Sequence, residues 1–123
     1  MRTWSNDLFS AVPILIPVFF YIDIKLVAID FDRTLVDLHT DRGDIPDIAA
    51  LSRNLRPFFA RFIPLALEHN ILIAIVTFSR HVEMIYSLLQ YTYGKIIADR
   101  IIIRGNDNSW EYVGMRPFTP MIL

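Results

Sequence analysis

The chain has 123 residues, which is one domain by the prior of roughly 100–200 residues per domain and enough to bury a core. Its apolar content of 54% lies above the ordinary value of roughly 45–50%, and a net charge of −1 supplies no field for steering nucleic acid, so no such partner is expected. No cysteine is present, which excludes disulfides, thiolate nucleophiles and Cys-based zinc sites.

Residues 1–24 form an apolar N-terminal segment, and 8–22 carry no charged side chain. A membrane-spanning helix needs roughly 17–25 apolar residues, and this run is both short and interrupted by Pro13 and Pro17. A secretory signal is not expected either, since Arg2 is the only basic residue ahead of the run, Asp7 is acidic and no small-x-small pattern follows. The segment is read as packed against the sheet in a cytoplasmic protein, with contact of 8–22 to a membrane surface or a partner as the alternative.

Residues 25–34 organise the rest. Leu26, Val27, Ala28 and Ile29 are apolar on both faces, which suits a central strand of a parallel sheet. They deliver Asp30, Asp32 and Thr34 beyond the carboxyl end of that strand, where open α/β sheets place their ligands. Four apolar residues followed by Asp30-Phe31-Asp32-Arg33-Thr34 resemble the first motif of the haloacid dehalogenase-like phosphohydrolases. The chemistry fits the spacing: phosphoryl transfer needs an in-line nucleophile, a proton donor for the leaving oxygen and a cation to absorb charge. The resemblance implies Asp30 as the nucleophile of an aspartyl-phosphate intermediate and Asp32 as general acid, then general base. It also implies Mg²⁺, held by Asp30 and the backbone carbonyl of Asp32, and a substrate that is a phosphorylated small molecule or a phosphoprotein.

Residues 35–47 are polar and turn-rich, and in the family such a flap follows the first motif. The interval is too short for a large cap domain, so a small or absent cap is expected. His39 is read as a surface residue of this flap, and Asp37, Asp41, Asp44 and Asp47 as solvated, since their spacing does not make a calcium loop. Residues 48–70 have helical periodicity broken by Pro57, which suits a helix start, and by Pro64, which is expected to kink the second segment; Asn70 ends it.

Residues 71–76 form a second apolar strand ending in Thr77, Phe78 and Ser79, the form of the family's second motif, and the resemblance implies that the Thr77 hydroxyl binds a phosphoryl oxygen. Ser79 is expected to cap a helix running from Arg80 to about Tyr93, closed by Gly94. Lys95 is the lysine available for the family's third, phosphate-binding motif, although it stands before the third strand at 100–104 rather than after it. Asp107 is the acid available for the fourth, metal-binding motif, but it falls a helix and a strand earlier than the family pattern has it. An incomplete magnesium site, and with it a catalytically incomplete relative acting as a binding or regulatory partner, is the alternative to a working hydrolase. The expected architecture is an α/β core over 25–107, three-layer and Rossmann-like, with strands at 25–29, 71–76 and 100–104 joined by right-handed crossovers, followed by an irregular tail over 108–123.

Overall fold

Strand β1 (Leu26–Asp30) is buried over its first four residues and emerges at Asp30. A computed structural model describes residues 12–40, 47–107 and 121–122, and the flap residues 41–46 and most of the expected tail lie outside this set. On one side β1 pairs in parallel with β2 (Leu72–Val76), from Leu26↔Leu72 to Asp30↔Val76, and β2 pairs in parallel with β3 (Ile102–Arg104). On its other side β1 pairs in parallel with a two-residue strand β4 (Met121–Ile122), giving the order β3-β2-β1-β4. Residues 121–122, expected in an irregular tail, therefore complete the sheet. The central position of β1 explains why it is apolar on both faces.

The helices are α1 (Val12–Tyr21), α2 (Ile48–Ser52), α3 (Pro57–Glu68), α4 (Val82–Tyr93) and α5 (Lys95–Ala98). Helix α1 continues through Pro17, which was expected to interrupt it. Ile16 and Phe19 are buried, and the Phe19 ring stands edge-on to Phe62 of α3 at 5.8 Å, so tertiary packing offsets the roughly 3 kcal/mol that an interior proline costs. No helix among the described residues is long and apolar enough to cross a membrane. Asp47 caps α2 by accepting from the Ala50 N–H at 2.8 Å, and Pro57 opens α3. Helix α3 runs past Pro64 without a break, its face of Phe58, Phe59, Phe62, Ile63, Ala66 and Leu67 buried. Asn70, at φ 63°, turns the chain out of α3 in the left-handed region that asparagine tolerates. Helix α4 starts at Val82, two residues later than expected, and Gly94 at φ 87° ends it. Strand β3 also starts late, because the Arg100 and Ile101 N–H groups bond Ile97 and Ala98 in the turn after α5.

Val27, Ile29, Ile73, Ile75 and Ile103 point into one core with Phe19, Leu51, Phe59, Phe62, Ile85 and Leu88. Leu26, Ala28 and Ala74 form a separate small cluster on the other face with Val76 and Ile102. Among the described residues the helices thus make one layer, where a layer on each face was expected. The reason is topological: β1, β2 and β3 follow one another in a single direction, and right-handed crossovers of that kind put both helical connections on the same face.

Candidate active site

Three parallel strands that end level bring their following loops to one edge. Asp30 is opposite Val76, and Val76 is opposite Arg104, so Thr77 and Gly105 leave the sheet beside each other just beyond Asp30. A cleft of about 270 Å³ opens there, lined by Asp30, Thr77 and Asp107 together with Val76, Phe78 and the turn Gly105-Asn106.

The Asp30 side chain is exposed and its Oδ2 lies 3.4 Å from the Thr34 hydroxyl. Between them the chain makes one wide turn, Phe31–Leu35, closed by the Val36 N–H on the Phe31 carbonyl at 3.2 Å. Phe31 and Leu35 anchor this turn in the core, both fully buried. Its apex needs Arg33 at φ 59°, an uncommon conformation for a residue with a side chain. Two bonds hold it there, from the Arg33 N–H to the Leu38 carbonyl at 3.1 Å and from Arg56 Nη2 to the Arg33 carbonyl at 3.2 Å.

Asp32 faces the other way from the turn, into the flap. Its Oδ1 accepts from the Thr40 N–H at 2.9 Å and from the Thr40 hydroxyl at 2.5 Å, and its Oδ2 lies 3.5 Å from His39 Nδ1. Thr40 is almost fully buried. His39 is exposed, as expected of a flap residue, and also lies against the second carboxylate of the motif; the residues Thr40 and His39 carry no spacing signal that could have announced this contact, which is made by the return of the chain.

The Thr77 N–H donates to the Arg104 carbonyl at 2.9 Å, and its hydroxyl accepts from the Ser79 N–H at 3.1 Å, which leaves the hydroxyl proton available to a ligand oxygen. Ser79 does not cap α4 as expected. Its hydroxyl accepts from the His81 N–H at 3.1 Å, one step ahead of the helix, and its carbonyl accepts from the Asn106 N–H at 2.9 Å. Gly105 makes that last bond possible, because a Cβ at this position would lie 2.5 Å from Val82 Cγ2 and 2.7 Å from the Ser79 carbonyl oxygen. The close approach folds the chain back and carries Asp107 to the cleft that holds Asp30, although its place in the sequence argued against such a meeting.

Lys95 is elsewhere. It opens α5, ahead of β3 and so at the amino edge of the sheet, and its ammonium bonds Asp99 at 2.5 Å. The Lys95 ammonium and the Tyr86 hydroxyl, which also bonds Asp99, hold that carboxyl below its ordinary range, and the bond to Asp99 raises the Lys95 pKa. The expected phosphate-binding role for Lys95 is not met, since a residue that precedes a short parallel strand cannot also stand at its carboxyl end.

For a divalent cation the carboxylates that line this cleft are those of Asp30 and Asp107. Among the described residues no group of three His, Cys, Asp or Glu side chains converges. Oxygen donors with only one or two carboxylates fit Mg²⁺, which keeps several waters and takes further oxygens from a substrate phosphate. Compared with protein-family models, with curated proteins and with solved structures, the chain matches none.

Proposed function

We propose that this chain is a Mg²⁺-dependent phosphohydrolase of the haloacid dehalogenase-like type, with a Rossmann-like core, acting on a phosphomonoester. The observation that carries the reading is the meeting of Asp30, Thr77 and Asp107 in one cleft at the carboxyl edge of a parallel sheet. An Asp30 carboxylate oxygen attacks phosphorus, and the ester P–O bond breaks as the leaving oxygen takes a proton from Asp32, whose side chain turns from Thr40 and His39 toward the cleft for this step. Water then attacks the aspartyl phosphate, Asp32 takes a proton from that water, and inorganic phosphate leaves with Asp30 regenerated. The Thr77 hydroxyl donates to a phosphoryl oxygen throughout. A Mg²⁺ held by Asp30, the Asp32 carbonyl and Asp107 would neutralise charge on the phosphoryl oxygens.

Arg33, Arg56, Arg80 and Arg104 lie in the neighbourhood by sequence, yet among the described residues no lysine or arginine lines the cleft. That observation favours a second reading, an incomplete relative that binds a phosphorylated partner without turning it over. Release of phosphate from a generic phosphomonoester, with and without Mg²⁺, separates the two. Asp30→Asn keeps the shape of the side chain and removes the nucleophile, so it should abolish turnover while the melting temperature stays close to that of the wild type. Turnover that survives in Asp30→Asn would end the aspartyl-phosphate mechanism.

A further inference from the structure

We infer that the substrate of this cleft is the phosphate ester of a single aromatic ring, which stacks on Phe78; the inference rests on the phosphomonoester reading above. Phenylalanine is ordinarily buried, yet Phe78 is 90% exposed, the highest value among the exposed large apolar residues described, and it is the one of them that lines the cleft. Its exposure is not that of a loose loop. The residues on either side, Thr77 and Ser79, are 8% and 1% exposed, and their backbones are pinned by bonds to Arg104, Asn106 and the Thr77 hydroxyl. The fold therefore holds the ring out at a fixed place beside the cleft.

That place has chemical consequences. Thr77 and Phe78 are consecutive and both line this cleft, so one small ester can present its phosphoryl oxygens to Thr77 and its organic group to the Phe78 ring. Planar rings stack on aromatic side chains in offset or edge arrangements, a preference that an alkyl group of equal size does not share. Val76 continues the apolar wall, and among the described residues no lysine, arginine or histidine lines the cleft. A cleft of about 270 Å³ falls just below the usual ligand range of roughly 300–1,000 Å³, which suits a small ester rather than a large one.

The test uses two probes that cannot be hydrolysed, phenylphosphonate and methylphosphonate, titrated with Mg²⁺ present into the full chain and into Phe78→Ala and Phe78→Leu. The wild type should bind the phenyl compound about 10-fold more tightly than the methyl one. Phe78→Ala should bring that ratio close to one, and Phe78→Leu should leave it well below the wild-type value, because leucine keeps apolar area but not a plane. Equal affinities in the wild type, no binding of either probe, or a ratio unchanged in Phe78→Ala would each overturn the inference. Turnover of phenyl phosphate and of a phosphotyrosine peptide then distinguishes a free aryl ester from a peptide-borne one. Phenyl preference without turnover of either would refute the hydrolase and keep the stacking, whereas turnover without phenyl preference would do the reverse.

Discussion

Thr40→Val probes the contact that sequence could not show, the clamp on Asp32. Valine keeps the shape of a side chain that is 2% exposed and leaves the backbone N–H on Oδ1, so the substitution removes only the hydroxyl donor at 2.5 Å. The Asp32 side chain is 16% exposed, and a hydrogen bond to a charged group in such surroundings contributes about 1.5–3 kcal/mol. The retained N–H and the nearby His39 ring hold the loss to the lower part of that range. With a urea slope of about 1–1.5 kcal/mol/M for a small domain, the unfolding midpoint should fall by about 1–2 M. A double-mutant cycle with Asp32→Ala should return a coupling of at least about 1 kcal/mol. If Asp32 acts in the chemistry, its looser hold should also lower kcat, by up to about 100-fold for a displacement near 1 Å, with KM little changed. Additivity within about 0.5 kcal/mol, or a kcat equal to the wild type in a destabilised Thr40→Val protein, would refute the claim that Thr40 positions Asp32.

Three further outcomes are expected. If the cleft holds Mg²⁺ as proposed, Asp107→Ala should weaken that binding, as read by calorimetry, and unchanged binding would remove Asp107 from the metal site. Gly105→Ala should destabilise by about 1–3 kcal/mol in urea unfolding, and adding Val82→Ala should not restore it fully, because the Ser79 carbonyl still blocks the new Cβ. The Tyr93 hydroxyl donates to the Phe59 and Ala60 carbonyls at 3.4 and 3.2 Å, and burial pushes its pKa up. A folded-state pKa above the unfolded value means that its contribution is complete below about pH 10 and is lost as pH rises through the folded value. Tyr93→Phe should therefore cost about 1 kcal/mol at pH 7 and show a shallower loss of stability above pH 10, both measured by urea unfolding across pH.

What the sequence alone determined about this protein is local. Unbroken apolar runs at 26–29 and 71–76 suited central strands, Pro57 marked a helix start because its ring fixes φ and Gly94 a helix end because it alone takes a positive φ freely, and Asp30 and Thr77 stood at strand ends because a strand in a parallel sheet must deliver its next residue to the carboxyl edge. The tertiary structure decided everything that depends on how segments return. Only the reversal at Gly105 brings Asp107 to Asp30, only the folding of 37–40 over the motif places Thr40 and His39 on Asp32, and only the parallel direction of β3 removes Lys95 to the opposite edge. Helix α1 makes the same point from the side of stability: its interior proline is a strong local stop, and the burial of Ile16 and Phe19 against α3 overrides it. Propensity and periodicity act over a few residues, whereas the Asp30 and Asp107 that share the cleft stand 77 residues apart, and no local pattern encodes their meeting.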